Sequence, residues 1–192
     1  MQNQGTKRLE TERLVLRPFI KEDAEYVYKN WASDDEVTKF LTWSTHKSVD
    51  DSKGYIDFCL NGYQDVSSYQ WGIELKDSGE VIGNISVVHM NNEIESAELG
   101  WVLGKAWWGC GIMPEAAREI IRFLFEEVGV NRICAEHDTN NQKSGRVMQK
   151  IGMRHEGTLR GAGKNNQGIV DMDVYGITKT EWQKIHKYGM IL

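Results

Sequence analysis

Proline and cysteine are both scarce in this sequence. It contains two prolines and three cysteines among 192 residues. So few prolines argue against a disordered or linker-like chain. The cysteines are odd in number and scattered, which argues against a disulfide framework, and their spacing matches no zinc motif. We therefore expect a folded protein whose cysteines, Cys59, Cys110 and Cys134, are free thiols.

The sequence also lacks long apolar runs and an excess of basic residues. No apolar stretch approaches the roughly 20 residues needed to cross a bilayer, and the polar residues 1–10 contain no signal-peptide core. The formal net charge is -5, which provides no basic field for non-specific binding of nucleic acid. The five histidines are scattered without metal-ligand spacing. These features predict a cytoplasmic protein with no membrane partner, no nucleic-acid partner and no metal.

The composition and the order of local patterns indicate one folded domain covering residues 1–192. Hydrophobic residues make up 40% and charged residues 27%, as in globular domains, and the length suits a single core. The turn at residues 76–79 predicts an antiparallel hairpin. Ser48 with Asp51 predicts the capping box of a helix through about residue 62, and residues 180–188 predict a terminal helix. Residues 153–160 and 169–177 are predicted strands joined by a mobile, glycine-rich connection. The order of elements predicts an α+β domain with a mixed, mostly antiparallel sheet of about seven strands flanked by helices.

Residues 98–128 have the pattern of a strand, a glycine-bearing turn and an amphipathic helix. The strand is rich in branched and aromatic side chains and ends at Gly104. Apolar residues of the helix recur at three- and four-residue spacing, Pro114 suits its first position, and Gly129 suits its C-terminal cap. Gly109 and Gly111 precede this helix. Glycines there let the backbone approach a ligand closely and aim free N–H groups outward, which together with the helix dipole favours an anion.

The turn before this helix has two interpretations. It is either an anion cradle of backbone amides suited to a pyrophosphate, or an ordinary tight turn, since many strand-to-helix connections contain glycine. A Walker loop is excluded because Ile112 and Met113 follow the second glycine. A dinucleotide-binding fingerprint is excluded because Pro114 occupies the place of its third glycine. The predicted cradle consists of Gly109, Cys110, Gly111, Ile112 and Met113.

Four motifs occur in order along nearly the whole chain. They are Thr11-Glu12-Arg13-Leu14-Val15-Leu16-Arg17-Pro18-Phe19, Ala97-Glu98-Leu99-Gly100-Trp101, Trp108-Gly109-Cys110-Gly111 before Glu115-Ala116, and Asn141-x-x-Ser144 running into Lys150-x-Gly152. Together they resemble the GNAT superfamily of N-acetyltransferases, and in particular the ribosomal-protein N-terminal acetyltransferases of the RimJ/RimL type. The resemblance implies a GNAT-like fold, acetyl-CoA as cosubstrate and a homodimer.

The resemblance also implies which residues contact acetyl-CoA. It places the pyrophosphate on the predicted cradle and the pantetheine on the strand edge at Trp101, Val102 and Leu103, where β-augmentation would pair its amides. It adds Asn141 and Ser144 as cofactor contacts. An asparagine at a helix start is alternatively just a good N-cap.

Departures from the superfamily pattern change the expected chemistry. Trp108 and Met113 stand where the superfamily has Gln or Arg and Gly or Ala, so binding is expected to depend on backbone amides rather than on a cationic side chain. Met148 stands where the superfamily often has a tyrosine acid, and it cannot donate a proton. Ser144 lies one turn earlier on the same helix and is the predicted partner of the departing sulfur. The alternative is a helix serine bonded to the backbone.

Glu98 is the predicted proton acceptor. Acetyl transfer to nitrogen requires an uncharged amine, and Glu98 lies two residues before Gly100, close to where the resemblance puts the acetyl group. The alternative is a solvated strand residue paired with a lysine. Glu136 and His137 are lower-ranked candidates, and strand alternation allows only one of them to enter the site.

The leading hypothesis is an acetyl-CoA-dependent N-acetyltransferase acting on a primary amine, most like those that acetylate protein N-terminal α-amines of ribosomal proteins. One alternative acceptor is a small amine such as a polyamine, amino acid or drug. A different class is a non-catalytic acyl-CoA-binding module. Residues 34–47, which include Phe40, Leu41, Trp43 and His46, either line the acceptor pocket or pack over the sheet edge.

Overall fold

The structure is a computed structural model that describes residues 1–187. The strands of this part of the chain are β1 Leu9–Glu10, β2 Leu14–Arg17, β3 Gln70–Leu75, β4 Val81–Asn91, β5 Ser96–Leu103, β6 Arg132–Asp138, β7 Arg154–Asn165 and β8 Gly168–Thr178. They form one eight-stranded sheet in the order β1-β2-β3-β4-β5-β6-β8-β7. Neighbouring strands pair antiparallel, except that β5 and β6 run parallel. The predicted mixed, mostly antiparallel sheet is confirmed, with one strand more than expected.

Helices flank both faces of this sheet. They are α1 Ala24–Val27, α2 Asp35–Thr38, α3 Val49–Gly62, α4 Ile112–Phe123, α5 Gln142–Lys150 and α6 Lys179–Lys187. Helices α4, α5 and α6 share one core with the sheet, to which they contribute Ile120, Met148 and Trp182. Helices α1 and α3 pack on the opposite face, around Ile56 and the alternate strand residue Val81. Within residues 1–187, no helix is both long enough and apolar enough to span a membrane.

Helix α4 begins two residues before Pro114. Its N-cap is Gly111, which has a left-handed backbone with a φ of 77°. Pro114 therefore occupies the third helical position, where the backbone N–H would have no partner inside the helix. The helical path continues through a π-helical turn, Leu124–Val128, and ends at Gly129 with a φ of 84°, as predicted. Its apolar stripe is buried against the sheet and comprises Ala117, Ile120, Ile121, Leu124 and Val128.

Other local predictions meet mixed outcomes. The capping box of Ser48 and Asp51 opens α3, and β3 pairs with β4 as the predicted hairpin. The predicted connection around Gly161 and Gly163 is wrong as a loop, because both glycines belong to β7, where the register shifts. A side chain at position 163 would collide with Met172 of β8, which explains the glycine. The predicted terminal helix corresponds to α6, and its expected last residue, 188, lies outside the described residues.

Candidate active site

The parallel strands β5 and β6 separate soon after they begin. Their pairing covers three positions and ends with Glu98 opposite Cys134. Beyond this point, β5 stays paired with β4 up to Leu103, and β6 stays paired with β8 up to Asp138. The facing edges of β5 and β6 therefore border a gap across which they do not pair. An extended ligand with amide groups can add to such a strand edge.

The predicted anion cradle lies beside this gap. Gly109 and Gly111 both have left-handed backbones, with φ values of 79° and 77°. The N–H groups of Gly109, Gly111, Ile112 and Met113 donate no hydrogen bond within residues 1–187. Free N–H groups at the first turn of a helix attract an anion. Four amides of this turn are thus available to an anion, and the cradle itself stays a prediction.

A cavity of about 730 Å³ connects the gap and the cradle. Its size is within the usual range for small-molecule sites. The residues of the predicted site that line it are Trp101, Val102, Leu103, Gly109, Gly111, Ile112, Met113, Asn141 and Ser144. Glu98 and Cys110 do not line it. Cys110 is exposed, and its backbone N–H donates to the Trp107 carbonyl at 3.4 Å rather than remaining free.

Four basic side chains line the cavity, although the protein as a whole is acidic. They are Lys39, Lys143, Arg146 and Lys150, and only one acidic residue, Glu36, joins them among the described lining residues. The last three of these basic residues lie on α5 at three- and four-residue spacing, which places them on one helical face. The prediction that binding depends on backbone amides omitted them, and this spacing was the signal that could have revealed them. Local positive charge favours an anionic ligand.

Trp108 connects the end of β5 to the start of α5. Its indole Nε1 donates to the Leu103 carbonyl oxygen at 2.8 Å. The Lys143 ammonium lies 3.7 Å from the centre of the Trp108 ring, within range of a cation–π interaction. The Leu103 carbonyl is therefore already paired inside the protein. The tryptophan that replaces the superfamily's usual Gln or Arg thus holds one wall of the cavity against the other.

Ser144 carries a free hydroxyl at the start of α5. Its backbone N–H donates to the Asn141 side-chain oxygen at 3.4 Å and to the Asn141 carbonyl at 3.0 Å, so Asn141 acts as the N-cap. The Ser144 hydroxyl itself makes no hydrogen bond within residues 1–187, and the residue lines the cavity. Met148, at the position of the superfamily tyrosine, is buried in the core. The backbone-bonded alternative for the Ser144 hydroxyl is absent from this part of the chain.

Glu98 is half-buried at the point where β5 and β6 separate. It forms neither a hydrogen bond nor an ion pair within residues 1–187, so the lysine pairing considered as its alternative does not occur there. Burial raises the pKa of the Glu98 carboxyl, and the charge of Glu136 raises it further, while His89 opposes the rise. A carboxylate with a raised pKa is a stronger proton acceptor once ionised.

The lower-ranked candidates, Glu136 and His137, lie on opposite faces of β6. Glu136 is exposed and interacts electrostatically with Glu98. His137 is buried, its Nδ1 donates to the Asp138 carbonyl at 2.7 Å, and its Nε2 has no hydrogen-bond partner within the described residues. Its ring packs 5.6 Å from that of Tyr175. Of the two residues, Glu136 is the one whose charge acts on the Glu98 carboxyl.

Part of the segment 34–47 lines the cavity, whereas Trp43 and His46 do not, and Trp43 packs against the core cluster on the α1 and α3 side of the sheet. Phe40 and Leu41 belong to the cavity lining. Asn166, at the tip of the β7–β8 hairpin, holds this segment by donating from its backbone N–H to the Leu41 carbonyl at 3.2 Å. Its side-chain Nδ2 donates to the carbonyls of Thr38 at 2.9 Å and Trp43 at 2.8 Å. The hairpin tip therefore fixes one wall of the cavity.

The arrangement can bind an extended anionic ligand beside the Ser144 hydroxyl, while the Glu98 carboxylate lies outside the cavity lining, where β5 and β6 separate. Within residues 1–187, no group of three or more His, Cys, Asp or Glu side chains is arranged to hold a metal ion. Groups able to bind such a ligand are the edge of β5, the four amides of the turn that donate no hydrogen bond within residues 1–187, and the basic face of α5. Glu98 and Ser144 supply groups able to accept a proton and to donate a hydrogen bond.

Comparison with known proteins gives consistent matches. The family model for an acetyltransferase (GNAT) domain matches residues 13–154. The uncharacterized N-acetyltransferase YoaA of Bacillus subtilis is 32% identical over 171 residues, which cover 89% of this chain and 96% of that protein. The [ribosomal protein uS5]-alanine N-acetyltransferase of Escherichia coli is 28% identical over 159 residues, covering 78% of this chain and 79% of that protein.

One solved structure is similar to this chain in fold. The microcin C7 self-immunity acetyltransferase MccE, crystallised in complex with acetyl-CoA and AMP, superposes with a TM-score of 0.78 at 22% identity, covering 88% of this chain and 93% of that chain. The family match, by contrast, rests on sequence, and it extends over the gap between β5 and β6, the cradle and α5. The homologues of this chain include a ribosomal-protein acetyltransferase. By the family match, the chain belongs to the GNAT family of N-acetyltransferases.

Proposed function

We propose that this protein transfers the acetyl group of acetyl-CoA to a primary amine, with acetyl-CoA bound in the cavity between β5, α4 and α5. The observation that carries the proposal is the separation of β5 and β6 beside a turn in which four amides donate no hydrogen bond within residues 1–187. The strand edge suits the amides of pantetheine, and the cradle suits the pyrophosphate. Lys143, Arg146 and Lys150 add positive charge for the phosphates of CoA.

The proposed acceptor is a protein N-terminal α-amine. Such an amine has a pKa of ~8, against ~10.4 for lysine, so a larger fraction of it is uncharged at neutral pH. One partly buried carboxylate, Glu98, is then a sufficient proton acceptor. A protein acceptor is also supported by the Escherichia coli relative, whose name specifies an alanine of a ribosomal protein. We likewise propose a cytoplasmic location and assembly as a homodimer.

The proposed chemistry assigns one step to each candidate residue. Glu98 removes a proton from the ammonium, directly or through a water molecule, and releases it to solvent. The neutral amine attacks the thioester carbonyl and a C–N bond forms. As the tetrahedral intermediate collapses, the nitrogen loses its second proton to water, the C–S bond breaks, and the sulfur leaves as a thiolate that solvent later protonates. The Ser144 hydroxyl donates a hydrogen bond to this sulfur as negative charge develops on it.

A thiol-release assay with acetyl-CoA tests the proposed function. The acceptor panel contains peptides that begin with a free alanine, the same peptides with a blocked N-terminus and an internal lysine, and polyamines. We expect turnover with the free N-termini and little with the blocked peptides. Turnover with polyamines alone would identify a small-amine enzyme, and saturable CoA binding without turnover on any amine would identify a non-catalytic module. Either result contradicts the proposed acceptor.

Adding a side chain at Gly109 should weaken CoA binding without unfolding the protein. Gly109 lines the cavity, its φ is 79°, and a Cβ built there meets no atom within 4 Å. Asparagine tolerates a left-handed backbone better than most residues. We therefore expect Gly109→Asn to raise the calorimetric Kd for CoA about tenfold, with a nearly unchanged melting temperature.

The matched control for this variant is Gly79→Asn. Gly79 lies in the turn between β3 and β4, has a φ of 69° and likewise has no atom within 4 Å of a built Cβ. Its substitution should leave CoA affinity at the wild-type value. If Gly109→Asn and Gly79→Asn bind CoA equally well, the turn before α4 is an ordinary turn.

A further inference from the structure

Arg13 ties the start of β2 to the turn before α4. Its Nη1 donates to the Cys110 carbonyl oxygen at 3.1 Å. Its Nε donates to Oε2 of Glu115 at 2.7 Å, and its backbone N–H donates to Oε1 of the same carboxylate at 3.0 Å. Thr11 adds a hydrogen bond from its hydroxyl to Oε1 at 2.5 Å. One arginine thus holds both the glycine turn and the first turn of α4.

The bond to Cys110 sets the orientation of the peptide group between Cys110 and Gly111. No cis peptide occurs in the described chain, so the C=O of Cys110 and the N–H of Gly111 point in opposite directions. Gly111 lines the cavity, whereas Arg13 is not among the described residues that do. Since the carbonyl points toward Arg13, the Gly111 N–H points away from Arg13, which leaves it free to face the cavity that Gly111 lines.

This peptide group has little orientation preference of its own. Its second residue, Gly111, has a φ of 77°, and glycine adopts positive and negative φ about equally well. A flip of the peptide would turn the Gly111 N–H away from the cavity and present the Cys110 carbonyl oxygen to it. A carbonyl oxygen repels an anion where an N–H would bind it. Within residues 1–187, Arg13 supplies the one hydrogen bond that the Cys110 carbonyl accepts.

We infer that Arg13 is a positioning residue for the anion cradle, which holds the peptide between Cys110 and Gly111 with its N–H toward the pyrophosphate of CoA. This inference rests on the proposed function. The guanidinium acts from outside the cavity and does not touch CoA. Lysine cannot replace it, because a single ammonium lacks the planar fork that bonds the Cys110 carbonyl and the Glu115 carboxylate together.

Calorimetric titration with CoA tests the inference on the full-length protein. Arg13→Ala is expected to raise the Kd for CoA about tenfold, and Arg13→Lys is expected to raise it as well. The matched control is Arg8→Ala, which removes another exposed arginine, paired with Glu10 at 2.9 Å, and should bind CoA as the wild type does. The Arg13 side chain is 46% exposed, so we expect both Arg13 variants to fold.

A spectroscopic readout distinguishes positioning from general loosening. In protein labelled with ¹⁵N-glycine, CoA should shift the Gly111 amide proton downfield, and the cross-peak is identified by its loss in Gly111→Asn. In Arg13→Ala, the Gly111 shift should be lost while that of Gly109 persists. The Kd for CoA and the two glycine shifts are also measured for Arg13→Lys, and these values decide the result if Arg13→Ala is unfolded.

The outcomes separate the inference from the proposed function. A wild-type protein that binds no CoA overturns the proposed function, and the inference with it. If the wild type binds CoA and the Arg13 variants bind it with the same Kd, the inference alone is overturned. A higher Kd with an unchanged Gly111 shift also overturns it, because the cradle would then be intact without Arg13.

Discussion

The Glu98→Gln variant is expected to acetylate its acceptor about a hundredfold more slowly than the wild type at neutral pH. Glutamine keeps the shape of the side chain but cannot accept the proton of the attacking ammonium. Glu98 does not line the cavity, so the Kd for CoA should stay close to the wild-type value. The rate is measured by thiol release with the best acceptor from the panel, and the Kd by calorimetry.

The pH profile gives a sharper signature of the same role. Because burial, and then the charge of Glu136, raise the pKa of Glu98, the wild-type rate should fall as pH drops through a value above the ordinary pKa of glutamate. Glu98→Gln should lack this acid limb, and its rate should recover at higher pH, where more of the amine is neutral. In the matched control Glu136→Gln, the limb should move to lower pH because a repelling charge is removed.

Thermal denaturation separates a catalytic loss from a folding loss. A carboxyl whose pKa is higher in the folded than in the unfolded protein adds stability below the unfolded pKa, and this stability is lost as pH rises through the folded pKa. Burial makes Glu98 such a group, so Glu98→Gln should melt at the same or a higher temperature at neutral pH. A variant with wild-type rate and pH profile would remove Glu98 from the mechanism.

Ser144→Ala is expected to lower turnover by roughly tenfold to a thousandfold, with CoA binding and melting temperature nearly intact. Ser144 lines the cavity and its hydroxyl has no hydrogen-bond partner within residues 1–187, so the hydroxyl is available to the departing sulfur. Alanine removes that donor and leaves the cap of α5 in place, because the cap uses the backbone N–H of residue 144. Single-turnover thiol release measures the effect on the chemical step.

The matched variant for this position is Ser144→Thr. Threonine retains a hydroxyl on the same carbon, so it should restore a substantial part of the lost rate. Unchanged turnover in Ser144→Ala would mean that the thiolate leaves to solvent without help from this residue. A fall in activity that only follows a fall in melting temperature would mean that the serine is structural.

The sequence predicts those parts of the fold whose pattern is local. The apolar stripe of α4, the capping box of Ser48 and Asp51 and the β3–β4 hairpin each depend on residues a few positions apart, and all are present. Strand β1 was missed because its two residues carry no periodicity. The sequence predicts a loop at Gly163, but the residue lies in β7, and it is a glycine because a side chain there would collide with Met172 on the next strand. That reason is a tertiary contact.

Contacts between distant parts of the chain explain what the sequence could not predict about the site. The gap beside β5 exists because β5 continues along β4 while β6 diverges from it along β8, which follows much later in the chain. Asn166 donates a hydrogen bond to the Trp43 carbonyl, 123 positions away in the sequence. Arg13 donates one to the Cys110 carbonyl, 97 positions away. The glycine turn before α4 was predictable, because glycines before an amphipathic helix are a local pattern, and its role as a cradle stays a prediction. The supports of this turn were not predictable.

The most direct test of the central claim is calorimetric titration of the wild-type protein with CoA, with and without EDTA. The claim is that the gap between β5 and β6, closed by the cradle and the basic face of α5, holds CoA through protein groups alone. It predicts saturable binding of one CoA per chain with the same Kd under both conditions. Absence of binding under both conditions would contradict the claim, and binding abolished by EDTA would show that a metal is required.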